Sequence, residues 1–353
     1  MFVSLLIILS CILFSNNAIA NGTATVALID EEPKAVVNEP KKEEKESEGG
    51  FWSWLSAGGS SLAKKQEEKK FTISEAIELA QSGNVDAQIF LGYSYLYGAN
   101  NVEINYPEAF KYYSMAAAQH NSVGMNNLGS MYYGGIGVHR DINTAVKLFK
   151  EAAKAGNIEA ATNLGFILIS SSSEKNKQNA IPYFEMAAQG GDNAAKFMLG
   201  YSLYTGKYSP KDYARAVTFI KESANAGFDE AQEVMAEIYI KGLGVPQNYS
   251  KAVEYLRRAI SQGSVDSMVK LADILVDGKK YAPNPHMAHV FYNLASVRGA
   301  VNAAENRNKV EQKMKIEEVL KAQSVAASYQ EKPSELTTYI RQTYGSDVSS
   351  FIK

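Results

Sequence analysis

The sequence predicts an all-α protein, a right-handed α/α superhelical solenoid of about six helix-turn-helix repeats with terminal capping helices. Three observations predict it. A leucine-glycine pair, or a close variant, returns at steps of 37, 36, 35, 36 and 36 residues. After each return comes an Asp or Asn, four residues ahead of an alanine. A glycine then closes all but one of the units. Self-similarity at a period of roughly 20–50 residues is the signature of stacked repeats.

The first helix of each unit is fixed by Leu91, Leu128, Leu164, Leu199, Met235 and Leu271, each followed by a small residue: Gly92, Gly129, Gly165, Gly200, Ala236 and Ala272. Four residues earlier stand Ala87, Gly124, Ala160, Ala195, Ala231 and Ser267; four residues later stand Tyr95, Tyr132, Leu168, Leu203, Tyr239 and Leu275. These offsets lie on one face of a helix. A mid-helix glycine costs about 1 kcal/mol against alanine. Its recurrence predicts a neighbouring helix that approaches closely where no side chain intervenes.

The second helix carries Ala109, Ala145, Ala180, Ala216, Ala252 and Ala288. Four residues before them stand Asn105, Asp141, Asn176, Asp212, Asn248 and Asn284. Their side-chain oxygens can accept from first-turn N–H groups, so each is expected to be an N-cap. Gly156, Gly191, Gly227, Gly263 and Gly299 follow the helix as left-handed C′ residues. His120 takes that place in the first unit, where strain is expected. The glycine-rich MYYGGIGVHRD at 131–141 is therefore the turn between two helices. It has neither the lysine-hydroxyl pair of a nucleotide-binding loop nor a preceding strand.

The pattern A-x3-LG-x2-Y-x2-G-x-GV-x2-D-x3-A-x6-AA-x2-G resembles the Sel1-like repeat, most closely in GMNNLGSMYYGGIGVHRDINTAVKLFKEAAKAG at 124–156. IKGLGVPQNYSKAVEYLRRAISQG at 240–263 is similar, and 288–314 looks like a closing unit of such arrays. The third unit departs, with SSSSEKNKQN in place of the glycine loop, and a looser turn is expected there. The resemblance implies an exported interaction scaffold that binds a protein or peptide on its concave surface, in host interaction or in envelope signalling and assembly. Alternatives are a cell-wall or β-lactam-directed hydrolase and a eukaryotic lumenal adaptor of the Sel1 type. The cysteine pairs of some secreted members of the family are absent.

Outside the repeats the chain changes character. Phe2–Phe14 is apolar and Ala18-Ile19-Ala20 is an A-x-A signal, so residues 1–20 are expected to be a cleaved signal peptide. A retained anchor, or lipidation at Cys11, is the alternative. Cleavage leaves a periplasmic or secreted chain without cysteine and with no stable membrane span. Residues 21–71 read as a disordered charged linker interrupted by FWSWL, which holds both tryptophans. FWSWL is expected either to dock on the following domain or to touch a partner or membrane. The solenoid is expected over 72–312 and capping helices over 313–353, the first with apolar Ile316, Val319, Leu320 and Val325.

Catalytic patterns fail one by one, and the expectation is a non-enzyme without cofactor or metal. Ser61 to Lys64 and Ser267 to Lys270 are S-x-x-K strings, but the S-D-N and K-T-G elements that accompany them in penicillin-recognising enzymes are missing. His286 and His289 stand three apart with no third ligand near in sequence; the other histidines, His120 and His139, are isolated. Net charge is −2, which gives nucleic acid no global basic face.

Function is thus expected on a surface. The helix face opposite the buried one carries Phe90, Tyr93 and Tyr97 in repeat one, Asn127 in repeat two, Asn163 and Phe166 in repeat three, and Met198 and Tyr201 in repeat four. Aromatics and Met are what protein-binding surfaces use, and asparagines can bond an extended backbone. Burial of these groups by superhelical curvature or by FWSWL is the competing expectation.

Overall fold

The computed structural model describes residues 71–351. The signal-peptide, linker and FWSWL expectations fall outside those residues. Sixteen α-helices and one 3₁₀ turn make up the described chain, and no strand occurs among these residues. The helices form two compact units, one of residues 71–212 with 348–351 and one of Tyr213–Asp347.

In the first unit, α1 (Ile73–Gln81) is a half-unit ahead of repeat one. Repeat one is α2 (Val85–Tyr97) and α3 (Tyr106–Ala118), repeat two is α4 (Ser122–Gly134) and α5 (Ile142–Lys154), and repeat three is α6 (Ile158–Ile169) and α7 (Glu174–Gln189). The first helix of repeat four, α8 (Asn193–Thr205), completes the unit. Consecutive helices pack on one another, and Ala76, Ala80, Ala87, Leu91 and Tyr112 begin the core.

The recurring glycine has a specific neighbour. A Cβ on Gly92 would stand 2.7 Å from the Tyr113 ring, one on Gly165 2.7 Å from Phe184, and one on Gly129 3.1 Å from Phe149. Each ring belongs to the second helix of the same repeat and is buried. The glycine thus admits an aromatic face where another side chain would push the pair apart.

Asn105, Asp141, Asn248 and Asn284 are N-caps as expected, each accepting from first-turn N–H groups. Asn176 is not. Without the glycine loop, α7 starts earlier, with Ser173 at its N-cap, and Asn176 lies inside the helix donating to Ser171 Oγ at 3.1 Å. The closing glycines at 156, 191, 227, 263 and 299 all have positive φ, and His120 adopts the same left-handed region at φ 57°.

The second unit runs through α9 (Tyr213–Asn225), α10 (Asp229–Lys241), α11 (Tyr249–Ser261), α12 (Val265–Asp277), α13 (Pro285–Val297) and α14 (Ala303–Glu311). Two more helices follow, α15 (Ile316–Ala327) and α16 (Glu335–Tyr344). α15 packs on α13 through Val319, Ala322 and Ala326, whereas Ile316 and Leu320 point to solvent, contrary to the face read from sequence.

α16 docks at the start of α10. Ser334 Oγ donates to the Gly227 carbonyl at 2.9 Å, and Gln262 Oε1 accepts the Ser334 N–H at 2.8 Å. Thr337 Oγ1 accepts the Asp229 N–H at 3.1 Å and lies 3.1 Å from the same Gly227 oxygen. Arg341 pairs with the buried Asp229 carboxylate at 2.5 Å. Ahead of the helix, the Lys332 N–H donates to the Ser261 carbonyl at 2.7 Å, and the Tyr329 hydroxyl donates to that of Ile260.

Candidate functional site

The expected binding face divides by burial. Met198 is 0% exposed, Phe166 6% and Tyr201 8%, so the aromatic groups of repeats three and four are core rather than surface. The reason lies partly within the helices and partly at the chain's end. Phe166 packs edge-on to Phe184 at 5.3 Å, and Tyr201 stacks on Phe197 at 5.6 Å. The 3₁₀ turn Val348–Phe351 also packs on α8, and the Phe351 ring meets Phe166 at 6.2 Å.

The other end of the face reaches solvent. Tyr97 is 47% exposed, and its ring lies 4.8 Å from that of Tyr93, tilted by 41°. Tyr93, Phe90, Asn127 and Asn163 are half-buried. Phe90 meets Phe71 edge-on at 5.6 Å.

A polar seam runs beside these rings. Asn163 Nδ2 donates to Asn126 Oδ1 at 3.1 Å, bridging repeats two and three, and Asn126 is buried. Glu159 has exposed surface area, yet its carboxyl lies in a crowded position. Desolvation pushes its pKa above the usual carboxylate value, a hydrogen bond from Asn126 partly offsets this, and the nearby Asp192 charge adds to the rise. Desolvation likewise raises Asp192, which caps α8 by accepting the Ala195 N–H at 2.7 Å. Burial holds the Tyr113 hydroxyl well above its ordinary value, with Tyr97, Tyr93 and Glu159 acting in the same direction. Tyr113 and Asn126 are buried, so the groups of this seam that reach the surface are the Glu159 carboxylate and the half-buried Asn163 amide.

The two histidine positions of interest lie on α13. His289 is fully buried, with Nε2 3.2 Å from Glu311 Oε2 on α14. Burial lowers the pKa of His286, and the Lys321 and His289 charges lower it further. Among the described residues no group of three or more His, Cys, Asp and Glu side chains is placed to hold a metal ion. Ser264 caps α12 by accepting the N–H of Ser267, the serine of the second S-x-x-K string, and its hydroxyl reaches Glu233, while Lys270 pairs with Glu233 at 2.7 Å. That lysine is engaged with a carboxylate of α10, in a pair between α10 and α12, not with the serine. No helix among the described residues is long and apolar enough to cross a membrane.

Six consecutive matches to the Sel1 repeat cover residues 85–121, 122–157, 158–192, 193–228, 229–264 and 265–296, more than half of the chain. The chain belongs to the Sel1 repeat family. A protective antigen of uropathogenic Escherichia coli with an SLR fold is similar, at 25% identity, TM-score 0.53, over 77% of this chain and 66% of that one. A Sel1 repeat protein from Oxalobacter formigenes is 29% identical with TM-score 0.52, over 64% of this chain and 99% of its own. The rat DAP3-binding cell death enhancer 1 is 32% identical over 97 residues, which is 28% of this chain and 18% of that protein's length. Sel1 repeat proteins are generally protein-interaction scaffolds.

Proposed function

We propose that this Sel1 repeat chain is an exported scaffold that binds a protein or peptide on the first-helix face of repeats one to three. The observation that carries the reading is the Tyr93–Tyr97 ring pair, with Tyr97 47% exposed, beside the amides of Asn127 and Asn163. Rigid aromatics with a polar rim are the usual composition of a protein-contact patch. Phe166, Met198 and Tyr201 then serve as the floor that fixes α6 and α8, not as contact groups. Export is supported by the apolar run Phe2–Phe14 followed by Ala18-Ile19-Ala20, and a role at a host or envelope surface by the likeness to a protective antigen.

The test is affinity capture from the native cell with the wild-type chain and with Tyr93→Ala plus Tyr97→Ala. The double variant is expected to keep its helical circular dichroism and to lose the captured partner. Equal recovery by a folded double variant would remove this face from consideration. Mass spectrometry of the exported fraction is expected to find a mature chain beginning at Asn21; an intact residue 1 in that fraction would overturn cleavage.

A further inference from the structure

Repeat five recognises α16 with parts that repeat one also owns. In repeat five, Gln232 on α10 donates to the Ala224 carbonyl at 3.1 Å, and Gln262 at the end of α11 donates to Gln232 Oε1 at 2.9 Å. Gln262 Nε2 also donates to the Gly227 carbonyl at 2.8 Å, the same oxygen that meets the Ser334 and Thr337 hydroxyls, while Gln262 Oε1 accepts the Ser334 N–H. In repeat one, Gln88 on α2 donates to the Ala80 carbonyl at 3.0 Å, and Gln119 at the end of α3 donates to Gln88 Oε1 at 2.9 Å. Gly83 holds the register position of Gly227, with φ of +94° against +105°. Ala118 holds that of Ser261, whose carbonyl takes the Lys332 N–H. The other four repeats lack the pair, with Met125, Ala161, Lys196 and Met268 in place of the first glutamine.

The two copies differ in what covers them. A Cβ on Gly227 would meet Ser334 Oγ at 3.0 Å, whereas one on Gly83 would meet nothing within 4 Å among the described residues. Gln262 is buried and Gln119 is exposed. The first amide of α10 is satisfied by Thr337, while Asn84 Oδ1 takes only the Ala87 N–H, three residues into α2.

We propose that Gly83, Gln88 and Gln119 form a second polypeptide-binding site. Its ligand is a partner segment that runs extended into a helix capped by serine, with threonine three residues on. Repeat one has Val85 where repeat five has Asp229, so the ligand carries an apolar side chain where α16 carries Arg341. The Gln119 amide takes the serine N–H, the Gly83 carbonyl takes the two hydroxyls, and the Val85 N–H is capped by the threonine. The site goes beyond the Tyr93–Tyr97 face and uses none of its side chains.

The probe is a fluorescent synthetic peptide of residues 329–344 carrying R341L, titrated onto the full-length mature chain. Saturable binding is expected, about tenfold weaker for the Gln119→Leu protein and for a peptide with Ser334→Ala, as loss of a buried hydrogen bond predicts. Gln119 is exposed, so its variant is expected to keep the wild-type circular dichroism. Tyr93→Ala plus Tyr97→Ala should leave the titration unchanged, which separates this site from the aromatic face. Absence of binding, or binding insensitive to Gln119→Leu, would overturn the proposal. So would binding lost in Gln262→Leu instead, which marks exchange at repeat five, or binding seen only after deletion of residues 21–70, which makes the chain its own occupant.

Discussion

α2 and α10 begin alike and are finished differently. Each opens after a left-handed glycine and carries a glutamine that is bridged to the end of its partner helix by a second glutamine. α2 supplies its own cap, Asn84. α10 has Phe228 at that place, a residue with no side-chain oxygen, and takes Thr337 from 108 residues further along. A repeat can thus give up local capping when a distant segment restores it. The same contrast extends to two carboxylates, one buried and one crowded but exposed in part. Asp229 in the second unit meets a guanidinium, while Glu159 in the first meets the Asn126 amide and stays raised in pKa.

The sharpest way to break this comparison is Arg341→Leu. It leaves the buried Asp229 carboxylate without its cation, and the expected loss is about 2–4 kcal/mol in urea unfolding. Val85→Ala at the matching position of repeat one is expected to cost about 1 kcal/mol or less. Equal losses would mean that the clasp on α10 contributes nothing beyond ordinary packing. The glutamines separate the two repeats by less. Gln262→Leu strands the Ser334 N–H and is expected to cost about 1–3 kcal/mol, against about 0.5–1 kcal/mol for exposed Gln119→Leu.

The smallest effect is one of sign. A carboxyl whose pKa is raised by folding binds its proton more tightly in the native chain. Its favourable contribution is complete below the unfolded value, about 4.3 for Glu, and is lost as pH rises through the raised value. Glu159→Gln is therefore expected to melt higher than wild type near neutral pH and to lose that advantage below about pH 4. Melting curves at the two pH values that differ by the same amount would show that the Glu159 carboxyl is not desolvated.

The repeat was legible because it is local. Leu91 to Leu271 mark one helical face at a regular step, and Asn105, Asp141, Asn248 and Asn284 announce helix starts by their chemistry. The caps of the first helices, Asn84, Asn121, Asn157, Asp192 and Ser264, carry an equally plain signal seven residues before the leading position. The aromatic rings on the recurring glycine also had a signal, four residues after the second-helix alanine at Tyr113, Phe149 and Phe184. The docking of 329–341 on 227–262 had none. Such a pairing depends on where a tail lands, and no periodicity encodes it. The same gap explains Phe166, since Phe351 reaches it from 185 residues away in the chain.

The cap on α10 has a consequence for synthesis. A ribosome releases repeat five long before it reaches residue 337, and until then the first amide of α10 has only water for a partner. The first helices of repeats one to three carry their own caps and need no later segment for them. The nascent chain is consequently finished out of order, with its fifth module sealed by α16, and an interrupted message yields a product whose fifth module is open to proteases.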